Sequence, residues 1–153
     1  MELDYESIVK FMNDYLRDFS TLGQDPKTRD EIKKYYAPDL ETVPMAPGVR
    51  PSVSREQFLR RVTEHPGLRE TMTPLELIID DRRKAVVAFM KVELRDEATG
   101  EVLSAIHMSG HYHLILDEDK NIRIKKLMAF SERLPDGTPS IRDIMAQRRG
   151  KSA

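Results

Sequence analysis

Residues 101–132 read EVLSAIHMSGHYHLILDEDKNIRIKKLMAFSE, and the fold turns on how they are taken. They read as a long strand, a tight turn over Asp117 to Asn121, and a second long strand. In the first strand Ile106, Met108, Tyr112, Leu114 and Leu116 hold the even positions. Ala105, His107, Ser109, His111, His113 and Ile115 hold the odd ones. Successive strand residues point to opposite faces. One face is therefore apolar, and the other carries three of the chain's four histidines.

The same period of two runs upstream. Val86, Ala88, Met90, Val92 and Leu94 alternate with Val87, Phe89, Lys91, Glu93 and Arg95. Before them Leu75, Leu77 and Ile79 alternate with Glu76 and Asp80, and Asp81 and Arg82 turn the chain. Glu97 to Gly100 is a hairpin loop with glycine at its end. The first third has a different texture. Tyr5, Ile8, Val9, Met12, Leu16 and Phe19 keep i, i+3, i+4 spacing, which predicts an amphipathic helix from about Asp4 to Leu22, ended by Gly23. Thr28 and Glu31 form a capping box for a second helix, with Ile32, Tyr35 and Tyr36 on its buried side and Pro38 as its stop. Pro38, Pro44, Pro47 and Pro51 leave room only for a short edge strand between Ala37 and Val53. Ser54 and Gln57 open a third helix, with Phe58, Leu59 and Val62 as its stripe and His65, Pro66 and Gly67 as its close. His65 there is read as a partner of the helix C-terminus. After Pro135-Asp136-Gly137, Ser140 caps a short helix carrying Ile141, Ile144 and Met145.

Helices segregated from a meander of strands predict an α+β domain. A curved, mostly antiparallel sheet would wrap the N-terminal helices as a cone, with a short C-terminal helix attached. Residues 1–134 form the cone, and 135–153 the short helix and a basic tail. Arg148, Arg149 and Lys151 in that tail read as solubilising charge.

Net charge is −1, with lysine and arginine spread along the chain, so nucleic acid is not expected as a partner. The absence of cysteine excludes disulfides, thiolate metal sites and a cysteine nucleophile. No apolar run approaches the ~20 residues of a membrane helix. The start, MELDYESIVK, lacks the features of a signal peptide, so the cytoplasm is the expected compartment and no membrane partner is expected.

Three segments together resemble SnoaL-like proteins of the nuclear transport factor 2-like superfamily. YYAPDLETV (residues 35–43) is similar to that family's helix-to-strand junction, SREQFLRRV (residues 54–62) to its third helix, and HYHLILDEDKNIRIKKLMAF (residues 111–130) to its last hairpin. The resemblance implies a cone with a pocket, commonly a dimer. Members include polyketide cyclases, ketosteroid isomerases, dehydratases, epoxide hydrolases and binding proteins without chemistry. Cyclases of this kind often carry an aspartate on the last strand, whereas here that strand reads KKLMAFSE with Lys125, Lys126 and Glu132.

The implied reading is a cofactor-free proton-transfer enzyme, an isomerase, cyclase or dehydratase, acting on a small apolar carbonyl or polyketide-like compound. The alternative is a non-catalytic ligand-binding or dimeric interaction module, and a homodimer through the sheet is expected in either case. His107 and His111 are the candidate acid–base groups, because imidazole gives and takes protons near neutrality. Asp39 could act as base or orient a histidine. Tyr35 and Tyr36 could hold an oxyanion at the pocket mouth. Met45, Met90, Met108, Tyr112 and Met128 are candidate ligand-lining residues. Arg50 in the proline-rich loop could meet an anionic group or simply face water. No metal site is expected, since no acidic residue alternates with the histidines.

Overall fold

The structure is a computed structural model that describes residues 2–22, 25–44, 52 and 54–151. Met45 and Arg50, and the expected helix stop at Gly23, lie outside the described residues. Helix α1 spans Tyr5–Leu22 and buries Ile8, Met12, Tyr15, Leu16 and Phe19. A 3-10 turn over Pro26–Thr28, capped by the Asp25 carboxylate, leads into the short α2, Arg29–Lys33. The expected box at Thr28 does not form. Its hydroxyl bonds the carbonyls of Leu22 and Asp25 instead, tying α2 to the end of α1. The chain leaves the helix earlier than its pattern suggested. Tyr36 begins β1, which runs Tyr36–Pro44 and carries Pro38 within it. Helix α3, Arg55–Thr63, opens as read, with the Ser54 hydroxyl accepting from the Gln57 amide at 3.1 Å.

Four long strands follow: β2 (Leu68–Asp80), β3 (Ala85–Asp96), β4 (Val102–Leu116) and β5 (Ile122–Ser131). The sheet order is β1-β5-β4-β3-β2. All pairs are antiparallel except β1 with β5, which is parallel. The proline-bearing strand thus lies at an edge, where a missing amide donor costs no ladder bond. This mixed, curved sheet with its helices on one face is the α+β cone the sequence predicted.

Register decides what each face carries. Val86 pairs Tyr112, which pairs Leu127; Met90 pairs Met108, which pairs Ser131. The even residues of β3 and β4 therefore share the face that packs on α1. Val86, Ala88, Met90, Val92 and Leu94 are all buried, as are Ile106, Tyr112 and Leu114. A bulge between Pro74 and Glu76 in β2 reverses the parity of that strand. Leu68 and Met72 point inward before it and Leu77 packs on the core after it, while Leu75 is 52% exposed.

His65 joins α3 to β2. It is fully buried, with one ring nitrogen 2.8 Å from the Val62 carbonyl at the helix end and the other 3.0 Å from the Leu68 carbonyl. Helix α4, Ile141–Lys151, is no loose tail. Ile141 and Met145 are buried in the core, and Arg148 pairs with Asp96 at 2.9 Å.

Candidate functional site

The concave face brings three phenols together. Tyr15 comes from the middle of α1, Tyr36 from the first position of β1 and Tyr112 from the centre of β4. All three are buried. The Tyr36 hydroxyl donates to the Tyr15 hydroxyl at 2.9 Å, and the hydroxyls of Tyr15 and Tyr112 are hydrogen-bonded in turn. The rings meet edge to face, with Tyr15 centroids 5.7 Å from both Tyr36 and Tyr112. Quadrupoles favour that geometry. Burial raises the pKa of all three phenols well above the usual range, so they remain neutral donors.

The ring of Tyr112 leans back along its strand over Gly110. A Cβ at position 110 would lie 2.6 Å from the Tyr112 hydroxyl oxygen and 2.7 Å from its ring. Glycine is required here by the close approach, since the backbone sits in an ordinary strand.

Glu70 of β2 belongs to the same face of the sheet. Its position between inward Leu68 and Met72 is apolar on both sides. Protein surrounds the carboxyl, and the residue still keeps partial exposure. Burial pushes its pKa up to about 7. A charge on Glu70 is felt by Tyr15, Tyr36 and Tyr112 alike. A carboxyl that titrates near neutrality beside neutral hydroxyl donors can take a proton from a carbon acid while the phenols hold the oxygen that becomes negative.

No protein-family model matches the chain, and no curated protein matches it. Solved structures do. ActVI-ORFA from Streptomyces coelicolor superposes with a TM-score of 0.64 at 7% identity, covering 85% of this chain and 98% of that one. A protein from Catenulispora acidiphila, in complex with S-DNPA, gives 0.58 at 17% identity over 83% and 92%. A protein from Jannaschia sp. CCS1 described as a SnoaL-like polyketide cyclase gives 0.57 at 10% identity over 80% and 86%. The fold is SnoaL-like. At these identities the likeness is one of fold.

On this SnoaL-like scaffold the residues singled out from sequence separate into two groups. Tyr36, Tyr112, Met90 and Met108 share the concave face. His107, His111 and His113 are on the other side, because they occupy the odd positions of β4. The His107 ring stacks on Phe89 at 5.7 Å and sits 3.7 Å from Glu132. His111 bonds the Ser109 hydroxyl at 3.1 Å and meets the Phe130 ring at 5.0 Å. Met128 pairs with His111 and so is outside with it. Asp39 is exposed on β1, ion-paired with Lys125 at 2.5 Å. That hydrogen bond holds its carboxyl below the usual range. Tyr35 is buried, but its hydroxyl bonds the Asp18 carboxylate rather than the other phenols. Among the described residues no group of acids and histidines could hold a metal ion.

Sequence reasoning missed Glu70 because it started β2 at Leu75. The signal was present: Leu68, Glu70 and Met72 keep the period of two. Two open clefts lie elsewhere. One of about 740 Å³ runs between the ends of α1 and α3, lined by Asp25, Glu64, Glu97, Arg69 and Arg149. Arg69 pairs with Glu97, and Glu64 with Arg29, so opposite charges satisfy each other there. The other, about 360 Å³, is lined by Phe11, Tyr35 and Arg123. The concave face is the better candidate, since it joins apolar walls to a few convergent polar groups. No helix of the described residues is long and apolar enough to cross a membrane.

Proposed function

We propose that the concave face binds a small, largely apolar carbonyl compound and that Glu70 transfers a proton at the carbon next to the carbonyl. Glu70 carries the reading: a carboxyl walled by protein, with its pKa at about 7, whose charge acts on three buried phenols. The C–H bond would break with its proton going to a Glu70 oxygen and its electron pair to the carbonyl oxygen. A phenol of the Tyr15, Tyr36 and Tyr112 chain would donate to that oxygen. Return of the proton to the same or another carbon would complete an isomerisation. Loss of a leaving group, or attack on a second carbonyl, would make the same step a dehydration or a cyclisation. The step needs no cofactor. The solved structures of the same fold include proteins described as cyclase, ketosteroid isomerase-like and epoxide hydrolase, which supports the reading without choosing among these outcomes.

The test follows α-proton exchange in a panel of apolar aryl ketones in D2O by NMR. Exchange should exceed the buffer rate and rise with pH through about 7, because the carboxylate is the active form. Glu70→Gln should lower it by ~10²- to 10⁴-fold. Ketone binding with no exchange, or undiminished exchange in Glu70→Gln, would overturn the proton-transfer role and favour a carrier.

The outer face suits the homodimer expected from sequence. Ile78, Phe89 and Phe130 are 59%, 42% and 39% exposed there. They flank Val87, Ser109, His111 and Met128 in consecutive rows of the register. Aromatic groups on an open apolar face are the usual centre of an interface. We expect sedimentation to show a dimer, and Phe89→Glu to weaken it at least ~100-fold. A wild-type monomer at high concentration would remove this role from the face.

A further inference from the structure

The basic C-terminal segment has a fixed structure that the concave site does not use. Arg142 and Arg149 are seven residues apart on α4, two turns along one face of the helix. That face is turned toward the end of α3. The Arg149 guanidinium donates to the carbonyls of Arg61 at 3.2 Å and Glu64 at 3.4 Å. The Arg61 guanidinium itself donates to the Ser52 hydroxyl at 3.2 Å. Arg148 points elsewhere, to Asp96.

Arg61, Arg142 and Arg149 therefore flank the seam where α4 meets the end of α3. Arg142 makes no ion pair with a described residue. Asp143, the acid beside it, is occupied at the helix start, where its carboxylate accepts from the Ser140 amide at 3.0 Å. Partial burial, then the charges of Arg61 and Arg149, act against the charge on Arg142. Like charges that oppose one another are costly unless an anion joins them. Guanidinium forks match phosphate oxygens in pairs, and several of them favour a multiply charged group.

We infer that Arg61, Arg142 and Arg149 form an anion site between α3 and α4 that takes the phosphate group of a small phosphorylated molecule. The site stands apart from the Glu70 chemistry and does not depend on it.

The experiment is calorimetric titration of the full chain with inorganic pyrophosphate, with inorganic phosphate and with citrate, all at one fixed ionic strength. Fixed ionic strength removes general screening as a cause. Pyrophosphate should bind saturably, phosphate more weakly, and citrate at least ~10-fold more weakly than pyrophosphate. Arg142→Gln should weaken pyrophosphate ~10- to 100-fold, the range for one charge-assisted contact. Arg142→Lys should fall between, keeping the charge and losing the fork. Arg142 keeps much of its side chain in solvent and bonds no described residue, so neither variant should lower the melting temperature. Arg149→Gln should also weaken binding, but it loosens α4 as well, so the Arg142 pair decides. Glu70→Gln should leave pyrophosphate affinity unchanged. No saturation with pyrophosphate, equal affinity for citrate, or unchanged affinity in Arg142→Gln would overturn the site.

Discussion

Glu70→Gln is expected to make the protein more stable above neutral pH. The carboxyl titrates at about 7 in the fold against an ordinary value of 4.5, so the folded state binds more protons than the unfolded state between those values. Stability then falls as pH rises through this window. The contribution is fully present below about pH 4.5 and lost once pH passes about 7. A shift of this size corresponds to about 3 kcal/mol, lowered to about 2 by the water that the partly exposed residue still meets. Glutamine carries no charge to desolvate. The variant should gain about 2 kcal/mol over wild type at pH 8 and almost nothing at pH 4. Urea denaturation at the two pH values measures it. A difference independent of pH would mean that the carboxylate is solvated and that Glu70 is an ordinary surface acid.

The second large effect is expected at Gly110. A methyl group there falls on the Tyr112 ring and hydroxyl. The ring cannot swing freely, because Tyr15 packs against it and Tyr112 is 2% exposed. Gly110→Ala should cost about 2 to 3 kcal/mol, the usual scale of overpacking in a core. Tyr112→Ala alone should cost about 3 to 5 kcal/mol through the cavity it leaves. The double variant should be no less stable than Tyr112→Ala, because the clash is gone. Strict additivity in that cycle would show that the two positions do not interact.

How much of this was legible in the sequence can be judged from β4 and β2. The alternation of β4 and its turn at Asp117 gave both strands of the last hairpin. It did not say which face is concave, since the odd face also holds Ile115 and the even face includes Gly110. Pairing resolves the ambiguity: the apolar even run of β3 lies opposite the even run of β4. The mid-strand glycine was a further clue, as it marks a close approach on its own face. β2 was harder. RETMTP, from Arg69 to Pro74, is polar and ends in proline, so it resembles a loop. The bulge at its end then shifts the apolar residues from one parity to the other. Long-range pairing holds that segment as a strand, and no local pattern encodes the partner. The histidines stood out because they were aligned; Glu70 was overlooked because it stood alone.

The one parallel pair in the sheet has a consequence for how the chain is made. Tyr36 of β1 lies beside Ile124 of β5. β1 therefore has no strand to pair with until most of the chain has been synthesised. Ribosomes add about 5–20 residues per second, so β1 waits for seconds without its partner strand. Contacts so distant in sequence also make folding slow once the chain is complete. A nascent chain stalled before Ile122 would present Tyr36 and Leu40 of the unpaired β1 to the cell's chaperones.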